Sequence, residues 1–189
     1  MRGLGLWFYC GGRVLLVVDV HYSDEGAVAA AVAFVDWGAA VESRSWVVPF
    51  SGPLAPYEPG RFYKRELPFL VSLVERARLE FDLEVVVVDG HVWLGAGQPG
   101  LGKHLFESLD RVVPVVGVAK SAYHGGVAVP VFRGRSRRPL FVSSVGIEET
   151  EAVRMVGAMH GDGRLPTMVR LVDRLARNGQ SAPELPPEP

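Results

Sequence analysis

The sequence predicts an α/β domain in which a mixed β-sheet is flanked by helices. Strands come first along the chain and then alternate with helices, and several strands are unbroken apolar runs. Such runs are typical of strands that are buried on both faces and therefore need helices to cover them. Hydrophobic residues make up 48% of the 189 residues and charged residues 22%, which is the balance of one globular domain with a sizeable core.

The first three apolar stretches of the sequence predict a meander of antiparallel strands. Residues 14–18 form an unbroken apolar run, typical of a central strand. Residues 27–35 and 41–49 are two further apolar stretches, and Asp36, Trp37 and Gly38 between them favour a tight turn. These three segments can therefore pair in sequence order.

A proline-rich loop and a helix follow the meander. Residues 49–60 contain four prolines and two glycines, which excludes a regular strand and predicts a stiff loop. Pro68 fits the first position of a helix, where its missing N–H costs nothing, and apolar residues then recur with the helical period as far as Ala77. Glu66 is therefore predicted at the entrance of this helix.

The rest of the chain alternates between strands and helices. Residues 85–88 predict a second buried strand, residues 90–102 a long glycine-rich loop, and residues 103–109 a short helix. The remaining elements are predicted as strands at 112–118, 127–132 and 140–145 and as helices at 148–159 and 167–177. Residues 180–189 contain four prolines, so we expect a single domain at 1–179 and a disordered tail.

Composition excludes several classes of protein. The formal net charge of −1 gives no global basic field, so binding of a polyanion needs a local patch. The single cysteine, Cys10, excludes an intrachain disulfide and a multi-cysteine zinc site and is typical of a reducing compartment. No run of about 18 apolar residues and no convincing secretory signal occurs. We expect a soluble, cytoplasmic protein with no membrane partner.

Polar residues follow three apolar runs. Asp19 and Asp89 end two of them, and Lys120 stands just after a third. The carboxyl ends of parallel strands open onto the ligand crevice of an α/β sheet. Two aspartates there repel each other and lose hydration, which a divalent cation bound between them offsets. Carboxylates without clustered histidine or thiolate favour Mg²⁺ or Mn²⁺ over zinc.

Such a metal site predicts hydrolysis of a phosphodiester bond. A bound ion polarises the phosphate, lowers the pKa of a bound water and stabilises the leaving oxygen. Glu66 is a candidate to complete the site. The alternative is that Asp19 and Asp89 only cap turns, since aspartate is a preferred turn residue. Recurrence of the pattern favours the metal site.

Six short blocks resemble the endonuclease V family and stand in its order. They read VDVHY at 18–22, PYEPG at 56–60, FYKRE at 62–66, VDG at 88–90, GLGKHL at 100–105 and GVAK at 117–120. Each block is weak alone, but together they are specific, and the resemblance covers roughly residues 14–175. It implies a ribonuclease H-like fold and an Mg²⁺-dependent nuclease that recognises deaminated bases, chiefly inosine, in DNA or RNA and cuts nearby on the 3′ side.

The resemblance also implies roles for individual residues. The metal-site carboxylates of the family fall on Asp19, Glu66 and Asp89, its lysine on Lys120, and a supporting polar position on Asp173. All five residues keep the required chemistry. We expect the first three to hold Mg²⁺, with Mn²⁺ as a substitute, and Lys120 to stabilise charge on the phosphate.

The resemblance further implies a wedge loop and a base pocket. The wedge falls on Pro56, Tyr57, Glu58, Pro59 and Gly60, whose prolines pre-order the loop so that Tyr57 can stack on a base, worth about 1–3 kcal/mol. The pocket for the flipped base falls on Gly60, Phe62, Gly90, Gly100 and Leu101. Glycine suits such a pocket because bare backbone can approach a base edge closely.

Other positions leave alternatives open. The His-Pro-Arg stretch that commonly follows the Asp-Gly turn in the family is replaced around residues 95–97, which leaves the lesion undecided. His21 and His91 are either site residues or hydrogen-bonded structural histidines. Trp93 is either a stacking surface or a hydrophobic plug. The arginines of the basic run either bind a nucleic-acid backbone or form a charged hairpin tip, and these are Arg133, Arg135, Arg137 and Arg138.

Our interpretation is a monomeric, metal-dependent endonuclease acting on inosine-containing DNA or RNA. One rival is a non-catalytic nucleic-acid-binding descendant whose altered loop at 95–97 has lost the lesion pocket. A second rival is a nuclease for another substrate, such as a branched, mismatched or RNA structure. The preference between DNA and RNA is not determined by the sequence.

Overall fold

The computed structural model of the chain describes residues 13–23, 26–50 and 63–179. The strands are β1 (Arg13–Ser23), β2 (Gly26–Phe34), β3 (Arg44–Phe50), β4 (Asp82–Val88), β5 (Trp93–Gly95), β6 (Gln98–Pro99), β7 (Val115–Ala119), β8 (Val129–Val131) and β9 (Leu140–Val145). The helices are α1 (Tyr63–Arg78), α2 (Leu101–Ser108), α3 (Glu149–Ala158) and α4 (Thr167–Asn178). None of the helices in these ranges is long and apolar enough to cross a membrane.

Seven strands form one mixed sheet in the order β3-β2-β1-β4-β7-β9-β8. β1, β2 and β3 pair antiparallel in sequence order, which confirms the predicted meander. β1, β4 and β7 run parallel to one another, and β9 and β8 complete the sheet as antiparallel strands. β1 lies at the third position of the sheet, so its prediction as a central strand is confirmed.

Each face of the sheet carries its own hydrophobic core. Leu16 and Val18 of β1 pack with buried residues of α1 and α2, whereas Leu15 and Val17 pack with those of α3 and α4. Successive side chains of a strand point to opposite faces, so an unbroken apolar run supplies both cores. The predicted α/β architecture, a mixed sheet flanked by helices, is confirmed.

The prediction that α1 begins at Pro68 is wrong. The helix begins at Tyr63, so Pro68 is inside it and Glu66 lies in its first turn. A proline there removes the N–H that would bond to the carbonyl of Lys64. Leu67 already packs against the core on this face, and such burial can outweigh the loss of one backbone bond. The expected position of Glu66 at the helix entrance is confirmed.

Several other boundaries differ from the predictions. The prediction that the first strand ends at Asp19 is wrong, because β1 stays paired with β2 as far as Ser23 and Asp19 lies inside the strand. β8 covers only Val129–Val131 of the predicted 127–132.

The connection between β2 and β3 contains the predicted turn, in which Ala39 N–H donates to Asp36 O at 3.0 Å, but it spans residues 35–43, and Val41 in it is 72% exposed. The long loop after β4 contains the β5–β6 hairpin, and α2 begins at Leu101 rather than Lys103. β7 begins at Val115 because Val112 and Val113 belong to the turn after α2. Apolar residues in connections resemble strands when only composition is considered.

Some predictions fall outside the described residues. They concern the wedge loop with the adjoining pocket position Phe62, and the tail at 180–189. The wedge positions concerned are Pro56, Tyr57, Pro59 and Gly60. These remain predictions.

Candidate active site and metal centre

Three adjacent parallel strands bring polar side chains to one end of the sheet. Val18 of β1 pairs with Val88 of β4, and Val88 pairs with Gly117 of β7. Asp19 follows Val18 and Asp89 follows Val88, so the two aspartates lie at the same height along the neighbouring strands. Lys120 follows the last residue of β7 at the same end. Backbone register therefore places these three groups together.

Two helices add carboxylates to this group. Asp173 lies on α4 beside the buried Val172, and Glu66 lies in the first turn of α1. Asp19, Asp89 and Asp173 each offer one carboxylate oxygen, and these oxygens lie within 4.8 Å of one another. Glu66 shares a pocket with Asp19 and Asp89. The tightest cluster therefore includes Asp173, with Glu66 beside it.

The acidic groups strongly perturb one another. Burial, followed by the charge of Asp89, raises the pKa of Asp19 from 3.8 to about 7. Burial, followed by the charges of Asp19 and Asp89, raises the pKa of Glu66 from 4.5 to about 8. Desolvation and like charge both disfavour the ionised form. A bound cation would reverse this preference by offering the carboxylates an opposite charge.

Two cations of the chain neighbour the cluster. The Nζ atom of Lys120 donates to Asp89 Oδ2 at 2.6 Å and to Asp173 Oδ1 at 3.0 Å. Arg177, one turn after Asp173 on α4, donates to both oxygens of Asp173 at 2.9 and 3.2 Å. These bonds, led by the one from Arg177, hold the pKa of Asp173 below its usual value despite burial. Asp173 is therefore ionised beside the more proton-retaining Asp19.

The residues present fit a divalent cation. The donor set consists of carboxylate oxygens, which are the ligands preferred by Mg²⁺ and Mn²⁺. The ammonium group of Lys120 already lies against two of the carboxylates, which shows that they favour a positive charge. The raised pKa values of Asp19 and Glu66 indicate that this one ammonium does not neutralise the cluster.

The predicted base-pocket glycines have different surroundings. At Gly90, the nearest atom that an added Cβ would meet in the described part of the chain is Leu101 Cδ2, at 3.8 Å, so packing against these residues does not require glycine there. At Gly100, it would lie 2.6 Å from the carbonyl oxygen of His91, and the Gly100 N–H donates to Val92 O at 2.8 Å. Gly100 is thus needed for packing of the loop. Leu101 borders the pocket of Asp19, Glu66 and Asp89.

The surroundings of Trp93 and His91 favour one of the alternatives left open for each residue. Trp93 packs against the core on the α1 side, and its Nε1 donates to Ser144 O at 2.9 Å, which favours the plug. His91 lies with Nε2 3.0 Å from Ser121 O, as expected of a structural histidine. His104 stacks on Tyr63 with ring centroids 3.6 Å apart.

Arg133 does not belong to a nucleic-acid surface. It is only 5% exposed and donates to backbone carbonyls of the connection between α3 and α4, including those of Met159 and Gly163. Neither alternative given for the basic run therefore applies to Arg133. The carbonyl groups of this connection offer the guanidinium several acceptors. The buried Arg133 and these carbonyl groups therefore satisfy each other's hydrogen bonds.

Sequence reasoning missed Arg164 and Arg177. Arg164 donates to Pro139 O at 2.8 Å and also to the carbonyl oxygen of Lys120, which ties the end of β7 to the α3–α4 connection. Nothing in the sequence signals this contact. Arg177 follows Asp173 by four residues, which is the spacing of ion pairs on a helix and could have been recognised.

Comparisons with known proteins agree with this architecture. The family model described as Endonuclease V matches residues 11–135. Endonuclease V of Methanopyrus kandleri is 33% identical over an alignment of 190 residues. The match covers 88% of this chain and 79% of that protein. Endonuclease V of Sulfolobus acidocaldarius is 33% identical over 72 residues, and the match spans only 34% of that protein.

Two solved structures show the same fold. The catalytic domain of human endonuclease V is 26% identical with a TM-score of 0.71, and the match covers 89% of this chain and 82% of that one. Endonuclease V of Ciona intestinalis, solved with a 24mer DNA containing an inosine followed by a ribo-adenosine, is 18% identical with a TM-score of 0.69. That match covers 88% of this chain and 85% of the Ciona chain and bears on the fold alone. The predicted fold class is thereby confirmed.

Proposed function

Because the chain belongs to the endonuclease V family, we propose that it is a divalent-metal-dependent endonuclease that hydrolyses a phosphodiester bond near inosine in DNA or RNA. The observation that carries this proposal is the meeting of Asp19, Asp89 and Asp173 within 4.8 Å at the end of a parallel sheet. Carboxylates from three separate elements do not converge in this way merely to cap turns.

Asp19, Asp89 and Asp173, with Glu66 beside them, would hold Mg²⁺ or Mn²⁺. The ion, when bound, supplies polarisation of the phosphate and activation of a water molecule. Asp19 and Glu66 retain protons near neutral pH and would release them when a cation takes their place. Magnesium is the proposed physiological metal because oxygen-only sites suit it.

Lys120 would stabilise negative charge on the phosphate. An ammonium group has three N–H donors, and Lys120 directs bonds to Asp89 and Asp173. One donor therefore remains for a phosphate oxygen. Its side chain is 36% exposed, so a nucleic acid can reach it from solvent. A fixed cation beside the reacting phosphate lowers the barrier without reorganisation.

Inosine recognition would use the bare backbone at Gly90. Among the described residues, the nearest heavy atom to a methyl group added there is Leu101 Cδ2 at 3.8 Å, an ordinary van der Waals contact, and Gly90 adjoins Asp89, so a base edge could approach the backbone beside the cluster. The inosine-containing DNA in the Ciona structure supports this class of substrate. Tyr57 is proposed as the wedge that separates the strands, on the grounds of the sequence alone.

We further propose that the protein is a monomer and is located in the cytoplasm. Light scattering, which measures molar mass in solution, would test the monomer.

The test is a cleavage assay on a panel of end-labelled oligonucleotides. The panel contains inosine in DNA, inosine in RNA, a mismatch, a branched junction and unmodified strands, each with Mg²⁺, Mn²⁺ or EDTA. We expect cutting of the inosine strands only, and only with metal. Binding without cutting would support the non-catalytic rival, and cutting confined to mismatched or branched strands would support the other nuclease.

A further inference from the structure

Three arginines stand together in the connection between β8 and β9. They are Arg135, Arg137 and Arg138, which together with Ser136 we call the basic segment (residues 135–138). All three arginines are exposed. Residues 133–138 read RGRSRR and contain no acidic residue, and Arg133 is buried separately. The exposed positive charge is therefore concentrated on one short connection.

Sheet register places the basic segment at the catalytic end of the sheet. β9 runs antiparallel to β7 with Phe141 opposite Ala119, so β9 begins beside Lys120. β8 runs antiparallel to β9 with Val131 opposite Leu140, so β8 ends at that same edge. The connection between them must then lie one to two strand spacings from β7, about 5–10 Å.

Buried and bridging arginines hold this connection in place. Arg133, just before it, donates to carbonyls of the α3–α4 connection. Arg164 joins Pro139, just after it, to the carbonyl oxygen of Lys120. Within the segment, Ser136 Oγ donates to Arg138 O at 3.0 Å and accepts from Arg138 N at 3.1 Å. The arginines are therefore presented on an ordered support that is tied to a proposed catalytic residue.

The charges of the basic segment differ from those at the other end of the sheet. Arg13, Arg44 and Arg78 lie against Asp82, Glu80 and Glu75 respectively. Within the described part of the chain, Arg135, Arg137 and Arg138 have no carboxylate within 4.0 Å. Exposed arginines without an ion pair among the described residues suit an external polyanion, and guanidinium groups suit phosphate in particular.

We propose that the basic segment binds backbone phosphates of the nucleic acid flanking the cleaved bond. This inference rests on the proposed function, because it needs a nucleic acid bound at the adjacent carboxylate cluster. At 5–10 Å from β7 and about 3.4 Å of rise per nucleotide, the segment meets phosphates roughly one to three nucleotides away. Phosphate contacts position the strand but do not read the base, so the segment contributes equally with and without inosine.

The test compares two triple variants that remove equal charge. R135Q/R137Q/R138Q removes the basic segment, and R13Q/R44Q/R78Q removes three paired arginines at the opposite end of the sheet. Binding of a fluorescein-labelled inosine duplex and of its unmodified counterpart is measured by anisotropy in EDTA over a series of KCl concentrations. Thermal unfolding of each variant checks that it is folded.

The salt dependence distinguishes the outcomes. The logarithm of the association constant falls linearly with the logarithm of the salt concentration, and each lost phosphate contact makes this slope shallower by about 0.7–0.9. The slope of the basic-segment variant should therefore be shallower than the parental slope by about 2–3. The opposite-end variant should keep the parental slope, and the ratio of affinities for inosine and unmodified duplexes should stay constant. A parental slope in the basic-segment variant, or an equal loss in both variants, would overturn the inference. A parent that binds neither duplex would overturn the proposed function as well.

Discussion

Lys120 and Asp89, at the ends of neighbouring parallel strands, are joined by a hydrogen bond of 2.6 Å between Nζ and Oδ2. The same Nζ reaches Asp173 on α4, so one ammonium group links the sheet to the helix that covers it. Lys120 therefore restrains the carboxylates and would adjoin a phosphate held by a metal ion between them. This dual position makes Asp89 the most informative residue of the cluster to change.

Asp89→Asn should reduce cleavage at least about a hundredfold while affinity for an inosine duplex stays within a few fold. Asparagine keeps the shape and can still accept the bond from Lys120, but it lacks the charge that holds a divalent cation. Single-turnover cleavage with Mg²⁺ and anisotropy without it measure the two effects. Cleavage at the parental rate would show that the metal site is assigned incorrectly.

The metal-free protein should lose stability as the pH rises from about 4 to about 8. Asp19 and Glu66 ionise near 3.8 and 4.5 in the unfolded chain but near 7 and 8 in the folded one. Between these values the folded state holds more protons on these two groups, so their contribution to stability is fully present below about pH 4 and is lost as the pH rises through their folded pKa values. Thermal unfolding in EDTA at pH 5.5 and pH 8 checks the direction.

Added Mg²⁺ should raise the unfolding temperature more at pH 8 than at pH 5.5, because protons no longer compete for the carboxylates. Asp19→Asn and Glu66→Gln should each flatten the pH dependence of the metal-free protein. An unchanged pH profile in both variants would show that other groups are responsible.

Substitution by alanine should affect the stability of the fold differently at two glycines near Asp89. At Gly117, an added Cβ would lie 2.6 Å from Gly90 O and 2.8 Å from Val92 N, so Gly117→Ala should destabilise the fold by about 1–3 kcal/mol. Of the residues that the structure describes, the added methyl group of Gly90→Ala meets Leu101 alone, at 3.8 Å, so the change should alter stability by less than about 1 kcal/mol.

Gly90→Ala should instead weaken discrimination between inosine and unmodified strands about tenfold or more, because the methyl group occupies the space proposed for the base. Urea unfolding and competition cleavage assays separate stability from recognition. Unchanged discrimination in a stable Gly90→Ala variant would place the base elsewhere.

Arg164→Lys should lower kcat several-fold with little change in KM. Lysine keeps the charge but lacks the planar fork that reaches both Pro139 O and Lys120 O, so the end of β7 loses its restraint. Arg154→Lys is a control, since among residues 13–23, 26–50 and 63–179 Arg154 pairs only with Glu151, on the surface of α3. A loss confined to stability, with kcat unchanged in the folded variant, would assign Arg164 a purely structural role.

The apolar runs at 14–18 and 85–88 were sufficient to predict the buried parallel strands. The residues that come directly after these runs, Asp19 and Asp89, were the first candidates for the site. Burial on both faces and strand geometry are local properties of a few consecutive side chains, so they can be recognised without the fold. The family resemblance added Asp173, which no pattern of its own would have singled out.

Other features depend on contacts between distant residues. The start of α1 ahead of Pro68, the burial of Arg133 and the bond from Arg164 to Lys120 each follow from packing across the sheet. The same holds for the unequal protonation of Asp19 and Asp173, because pKa values depend on which charges and how much solvent surround a group. Local composition thus specifies the buried strands and the polar residues that follow their apolar runs, whereas only the assembled fold determines where the strands end, which charges meet and how strongly they interact.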